Sequence, residues 1–292
     1  MKPAPFEYVA PDSLAEAVSL ADQHSGDAKL LAGGQSLIPA MNFRVVQPAM
    51  LIDLNRIGEL RYVRPGDDGA LVIGAMTTQH ELETSALVAE RAPLLAEALP
   101  YIAHPQIRNR GTIGGSLVHA DPAAELPVIA IACGARLKAK SPKGERWIEV
   151  ADFFQGMFVT DLAEGEILTE IVFPPQPAGA GWSFMEVSRR RGDYAMMGVA
   201  SVVGLDQDGL CNYARLVYLN AGDGPIDATR AADSLVGRKL DTTACDEAAV
   251  IASESEIDPF GNVHAGVDFQ RHLARVLTQR ALAQAVARTS QA

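Results

Sequence analysis

Two double-glycine segments constrain this chain more than any other feature: Ala32-Gly33-Gly34-Gln35-Ser36 and, further along, Thr112-Ile113-Gly114-Gly115-Ser116. Both read as tight turns after an ordered segment. Glycine has no Cβ, so paired glycines admit positive φ and let another group approach the backbone closely. Successive N–H groups in such a bend can converge on an anion. Each segment ends in serine, whose hydroxyl can donate to a phosphate oxygen or cap a short helix. A single pair is compatible with an ordinary turn, whereas two in one chain point to a bound diphosphate. The strand Ala28–Leu31 feeds the first turn directly, but no GxGxxG follows and Pro39 interrupts any long helix after Ser36. A nucleotide here would therefore be held by loops rather than by one long helix dipole.

Composition narrows the function classes. The 292 residues are 48% apolar, enough to bury two or three modest cores. Lys and Arg number 25 against 36 Asp and Glu, so 25 − 36 = −11, and this acidic balance argues against a nucleic-acid partner. Cys133, Cys211 and Cys245 are scattered with no CxxC, so neither an iron–sulfur nor a zinc site is expected in the chain, and no disulfide is required. The N-terminus has no apolar signal core and no run of 18 apolar residues occurs, so a soluble cytoplasmic protein is expected, with no transmembrane segment.

Ser13 and Glu16 form a capping-box pattern before a helix with Leu14, Ala17, Val18 and Ala21 on one face, and Gly26 suits its C-terminal end. Residues 50–54 read as a strand, with Asp53 suited either to a ribose hydroxyl or to an Asx turn. Arg44 faces phosphate or solvent. Residues 60–63 and 71–76 suggest a hairpin, Thr78 and Glu81 a second capping box, and 87–99 one longer helix ended by Pro100. Arg108 and Arg110 suit either a diphosphate or acidic loops that need bracing. His119, Asp121 and Glu125 have metal-ligand chemistry without a tetrahedral set; Asp121-Pro122 also suits a helix start, and Glu125 suits a ribose or adenine group.

Residues 136–140 and 145–150 alternate as a hairpin, 167–173 form a further strand, and the proline-rich 174–181 marks a boundary. Beyond it, strands are expected at 182–187, 200–205 and 214–219, and helices at 228–236, 242–253 and 268–287. Strands then helices in separate blocks give an α+β unit. The charged run 188–194 is either a solvated crossing loop or a segment reaching back toward the nucleotide, where Tyr194 could stack on an aromatic ring.

The paired AGGQS and TIGGS, the run QIRNRGTIGGSLVHADPAAELP and the later SRRRGDYA resemble the FAD-binding medium subunit of molybdenum hydroxylases over essentially the whole chain. The likeness is to the separate-chain carbon monoxide dehydrogenase and quinoline-oxidoreductase types; the same module lies within xanthine dehydrogenase. The resemblance implies an α+β chain. A two-subdomain FAD-binding module of the vanillyl-alcohol oxidase type would occupy residues 1–56 and 57–177, and an α+β C-terminal domain 178–292. It assigns the FAD diphosphate to main-chain N–H groups of Ala32, Gly33, Gly34, Gln35 and Ser36 and of Thr112, Ile113, Gly114, Gly115 and Ser116. It puts Glu125 on the adenosine or ribitol side, Leu168 of GEILTEI near the flavin, and Tyr194 beside the isoalloxazine. Family members often carry a lysine just before the SRRRGD region; here Met185 and Glu186 stand there instead. The cysteine-rich insertion of members with a 4Fe–4S cluster is absent.

The same resemblance implies noncovalent FAD, with molybdopterin cofactor on a large partner subunit and 2Fe–2S clusters on a small one, assembled as a dimer of heterotrimers. Substrate is oxidised on the partner chain, so no acid–base residue is named here as catalytic and no metal ligand is expected. The substrate (an N-heteroaromatic, carbon monoxide or an aldehyde) and the acceptor (NAD, oxygen, a quinone or a cytochrome) stay open. The rival readings are a standalone FAD-dependent oxidoreductase and a non-enzymatic interaction module.

Overall fold

In the computed structural model, which describes residues 2–289, three sheets follow one another along the chain. The first is small and parallel: β1 (Glu7–Val9), β2 (Ala28–Leu31) and β3 (Met50–Asp53) in the order β1-β3-β2. Helix α1 (Leu14–Gln23) joins β1 to β2 and buries Leu14, Ala17, Val18 and Ala21, as its apolar spacing requires. Ser13 caps it by accepting from the Glu16 N–H, while the Glu16 carboxylate takes the Asp12 N–H. A short helix α2 (Leu37–Asn42) follows the first double glycine.

The second sheet is antiparallel, β4-β5-β10-β6-β7, built from β4 (Val63–Pro65), β5 (Leu71–Gly74), β6 (Arg136–Ser141), β7 (Gly144–Glu149) and β10 (Ile167–Phe173), with a two-stranded ribbon β8 (Phe154–Gly156) and β9 (Val159–Thr160) beside it. Between β5 and β6 run α3 (Gln79–Glu83), α4 (Ala86–Arg91), α5 (Pro93–Ala98), α6 (Pro105–Arg108), α7 (Ile113–His119) and α8 (Glu125–Ala132). The capping box at Thr78 and Glu81 forms with both of its hydrogen bonds. The single helix expected over 87–99 is instead two, α4 and α5. Ala92 leaves helical geometry at φ −136°, and Pro93, with no N–H to donate, opens the new helix at its first turn.

The third sheet is β11 (Gly181–Ser188), β12 (Ala195–Leu205), β13 (Cys211–Leu219) and β14 (Ile226–Asp227), antiparallel in sequence order. Its strands alternate between two cores. Phe184, Ala200, Val202, Val217 and Leu219 face the second unit, whereas Met197, Val199, Val203, Leu216 and Tyr218 face α9 (Thr229–Asp233), α10 (Thr242–Ser255) and α11 (Val267–Thr289). Every residue of α8 is buried and all but Glu125 are apolar, so this helix is the shared wall between the second and third sheets. Arg288 at the end of α11 pairs with Glu97 of α5 and donates to the Trp182 carbonyl at 2.7 Å, tying the chain's last helix to its middle. No helix among the described residues is long and apolar enough to cross a membrane.

Candidate functional site

The two double-glycine segments touch. A Cβ at Gly33 would run into the Arg110 carbonyl and come within 2.8 Å of the Gly111 Cα, and a Cβ at Gly115 would lie 3.3 Å from the Ala32 Cβ. Glycine is needed at both because another stretch of backbone or a helix cap fills the space a side chain would take.

Their chemistry differs. In the first segment Gly34 has φ +72°. The neighbouring carbonyls are drawn to side chains: Gln35 Nε2 donates to the Gly33 carbonyl at 2.9 Å, and Asn55 Nδ2 donates to the Ala32 carbonyl at 2.8 Å. The N–H groups of Gly33, Gly34, Gln35, Ser36 and Leu37 have no acceptor among the described residues. Ser36 makes no cap hydrogen bond, so its hydroxyl is free as well. The result is a half-buried run of donors at the start of α2, a concavity suited to an anion.

The second segment is not a turn but the first turn of α7, and its donors are engaged. The Ile113 N–H goes to the Thr77 carbonyl at 3.1 Å, Gly114 to the Ala75 carbonyl at 2.9 Å, Gly115 to Thr112 Oγ1 at 3.1 Å, and Ser116 to the Thr112 carbonyl at 3.1 Å. In this structure the N–H groups of 113–116, four of the five residues expected to supply main-chain donors at 112–116, are engaged within the protein. This segment contributes close packing and the Ser116 hydroxyl, which makes no hydrogen bond among the described residues. Gly114 is required by Ala75, whose Cβ and carbonyl oxygen would both lie 2.6 Å from a Cβ there.

The two arginines separate cleanly. Arg108 is buried, forks onto Glu83 at 2.9 and 2.8 Å, and donates to the Ile102 carbonyl at 2.8 Å, so it braces the fold. The Arg110 side chain is exposed and makes no direct hydrogen bond or ion pair among the described residues, which leaves it available beside the first segment. Its charge is felt at Asp53. Burial pushes the Asp53 carboxyl up, but hydrogen bonds from Tyr8 (2.5 Å) and Asn55, together with Arg110, hold it below its ordinary value. Asp53 thus serves the Asx turn at the end of β3, accepting the Asn55 N–H at 2.9 Å.

From the glycine junction α7 runs seven residues, which at 1.5 Å per residue is about 10 Å, to a second group of polar side chains. Ala120, in left-handed geometry at φ +50°, turns the chain; Asp121 then accepts the Ala123 N–H at 2.9 Å, and Glu125 opens α8. Burial pushes the Glu125 carboxyl up to about 7. Glu186 of β11 is pushed up to about 8, first by burial and then by the charge of Glu125. Burial lowers His119 below the ordinary imidazole value. Tyr194 is 72% exposed here. Crowding by the surrounding protein, then the carboxylates of Asp121 and Glu125, raise its phenol. The charged loop before Tyr194 packs on the segment before α6: Gly192, at φ +87°, is folded so tightly that a Cβ would strike the His104 ring and lie 2.8 Å from the Ala103 carbonyl.

Of the residues singled out from the sequence, 32–36 and 112–116 come together, and Glu125 lies close enough to Tyr194 for its charge to raise the phenol. Leu168 does not join either group on an open surface; it is 5% exposed, within the core of β10. Sequence reasoning missed the donor at Leu37, the support from Asn55 and the reach of the Glu125 charge to Glu186.

Comparison with known proteins identifies the family. Residues 4–176 match the family model described as the FAD binding domain in molybdopterin dehydrogenase, and 182–285 match the CO dehydrogenase flavoprotein C-terminal domain. The chain is 42% identical to the 6-hydroxypseudooxynicotine dehydrogenase complex subunit alpha of Paenarthrobacter nicotinovorans, over 99% of this chain and 97% of that one. Its structure resembles a chain of carbon monoxide dehydrogenase from Hydrogenophaga pseudoflava with a TM-score of 0.95 at 41% identity, covering 99% of each chain. It also resembles a chain of quinoline 2-oxidoreductase from Pseudomonas putida 86 with a TM-score of 0.93 at 37% identity, covering 98% of this chain and 99% of that one. A free donor run, an interlocked pair of glycine segments and a match over nearly the full length lead to one assignment: this chain belongs to the FAD-binding medium subunits of the molybdenum hydroxylases.

Proposed function

We propose that FAD lies along α7, with its diphosphate on the N–H groups of 33–37 and the hydroxyls of Ser36 and Ser116, and its isoalloxazine toward Tyr194, Glu125 and Glu186. The observation that carries this reading is the run of unengaged donors at 33–37, with an unpaired arginine, Arg110, beside it. When bound, FAD supplies the redox chemistry. The chain's own residues bind it, orient it and set the charge around it. Electrons reach it from 2Fe–2S clusters of a small partner subunit and leave for an external acceptor, while substrate is oxidised on a large molybdopterin-bearing subunit.

Several finer points belong to the same proposal. The module at 1–56 and 57–177 is read as the vanillyl-alcohol oxidase type and 178–292 as its α+β companion, supported by one principal sheet in each span. The assembly is read as a dimer of heterotrimers in the cytoplasm, in keeping with three free cysteines. The 97% coverage of a chain named as a complex subunit favours this reading over a standalone oxidoreductase.

The test is direct. The purified chain should retain one FAD, and the flavin absorbance should bleach on mixing with a reduced 2Fe–2S partner; a colourless chain that takes up no FAD would contradict the reading. Arg110→Ala is expected to weaken FAD binding about tenfold, the loss of one charge-assisted contact to phosphate, without lowering the melting temperature. Equilibrium dialysis and a thermal melt read the two effects separately. Tyr194→Ala is expected to shift the flavin potential or its reoxidation rate while leaving the fold intact, since an exposed ring contributes little to the core. Redox titration and stopped-flow reoxidation check it.

A further inference from the structure

Backbone strain gathers at the far end of α7. Six non-glycine residues among those described have positive φ, and three of them meet there: Ala120 (φ +50°), Phe158 (φ +59°) and Asn220 (φ +54°). The Phe158 N–H donates to the Ala120 carbonyl at 3.0 Å, and the Asn220 N–H donates to the Pro122 carbonyl at 2.7 Å. The turn between α7 and α8 is therefore gripped by two other segments of the chain. A fourth such residue, Ala103 (φ +42°), turns its carbonyl against Gly192 of the 188–194 loop. Left-handed backbone is costly for a residue with a Cβ, and it persists where the surrounding contacts over-determine it.

Asn220 ties that turn to Tyr194. It follows β13 directly, and its Nδ2 donates to the Ala195 carbonyl at 2.7 Å and to the Met196 carbonyl at 3.2 Å. Turning the amide over would set its oxygen against two carbonyls, so chemistry fixes the nitrogen in that direction. The Asn220 carbonyl in turn accepts from Gln270 Nε2 at 3.3 Å. That nitrogen also donates to the Met196 carbonyl at 3.0 Å, and Gln270 Oε1 accepts the Gly261 N–H at 2.9 Å. Gln270 is buried on α11, so the corner is braced from behind. At twelve other positions with positive φ the chain simply uses glycine. An asparagine at this one tolerates the geometry and adds the two side-chain donors.

Tyr194 is thereby an exposed side chain on a fixed backbone. On one side Gly192 is wedged against His104; on the other, buried Ala195 is held by Asn220. The ring and its hydroxyl make no aromatic contact or hydrogen bond among the described residues. A tether of this kind adds nothing to the packing of the ring itself; what it sets is where the ring stands relative to the α7–α8 turn.

We propose that Asn220 is a positioning residue for the flavin: by gripping the Ala195 and Pro122 carbonyls it fixes the Tyr194 ring relative to the α7–α8 turn, and it acts on the flavin only through that ring. This rests on the FAD reading above and adds to it the residue that aims Tyr194.

The experiment is a double-mutant comparison on the full chain loaded with FAD. Asn220→Gly keeps the left-handed corner and its N–H and removes only the side-chain donors. Reoxidation of the dithionite-reduced flavin by dichlorophenolindophenol is followed by stopped flow in wild type, Asn220→Gly, Tyr194→Ala and the double variant. Asn220→Gly is expected to change the rate about fivefold, the scale of one lost hydrogen bond, in the same direction as Tyr194→Ala and by no more than it does. Adding Asn220→Gly to Tyr194→Ala is expected to change the rate by less than about twofold, because residues that act as one unit are not additive. Asn220→Asp, which turns a carboxylate toward the same two carbonyls, is expected to match Asn220→Gly, so the result does not hang on glycine's backbone freedom. Wild-type rates in both Asn220 variants, or effects that multiply in the double variant, would overturn the proposal and leave the FAD reading standing. A wild-type rate in Tyr194→Ala would instead remove the flavin from Tyr194, and with it the reading on which the proposal rests.

Discussion

Gly33→Ala is expected to abolish FAD retention and to cost about 2 kcal/mol of stability, the scale of forcing one extra methyl into filled space. Gly33 does not need positive φ; it needs absence of bulk. The atoms that its Cβ would strike are the Arg110 carbonyl and the Gly111 Cα, which are backbone and cannot rotate away. Relief must come from separating the two glycine segments, and that separation moves the donor run at 33–37. A hundredfold loss of affinity corresponds to about 2.7 kcal/mol, which misplacing several charge-assisted donors together readily exceeds. Gly115→Val works on the same junction from the other side, since its Cβ would come 2.8 Å from Thr112 Oγ1 and displace the cap of α7. Gly58→Ala is the control: nothing lies within 4 Å of a Cβ there. Flavin absorbance of the purified variants reads the result. Full occupancy in Gly33→Ala would mean that the junction does not shape the donor run.

Local signals in the sequence were legible where one short segment decides the structure. The Thr78–Glu81 capping box, the α1 face and the Asx turn at Asp53 all formed as the residues dictate. The break at Ala92–Pro93 was available in the sequence too, but the leucines on either side imitate one continuous helical face. The helical start at 113–116 was hidden for a different reason. Two adjacent glycines are poor helix formers, and what overrides propensity there is the contact of Gly114 with Ala75, far away in sequence. Roles set by remote partners were out of reach altogether. Arg108 and Arg110 are two residues apart and chemically identical, yet one is buried on Glu83 and the other is free. Met185 and Glu186 stand out in the sequence only where the family often carries a lysine; that the charge of Glu125 reaches Glu186 is set by the fold.

Arg108→Ala is expected to destabilise the chain by about 3 kcal/mol, the low end for breaking a buried pair, because Glu83 keeps some contact with water. Three groups lose the Arg108 guanidinium at once: both oxygens of Glu83, one of which keeps only His80 at 3.9 Å, and the Ile102 carbonyl, whose bond to Arg108 is buried. Arg108→Lys is expected to recover little, since one ammonium cannot reproduce a fork that grips two oxygens while reaching a carbonyl behind it. The pair also sets an acid limit. Hydrogen bonds from Arg108, with its charge, hold Glu83 below the ordinary carboxylate value against the opposing effect of burial. Because the folded value is depressed, the stabilisation is full above the unfolded carboxylate range and is lost as pH falls through the folded one. The wild-type advantage over Arg108→Ala, read from urea unfolding midpoints, should therefore shrink on acidification and be flat from neutral pH upward. The contrast with Arg110→Ala gives this comparison its force. Arg108→Ala should unfold early and still bind FAD when folded, while Arg110→Ala should melt like wild type and bind poorly. An Arg108→Ala chain within 1 kcal/mol of wild type would show that the loop carrying both arginines is held by its backbone contacts alone.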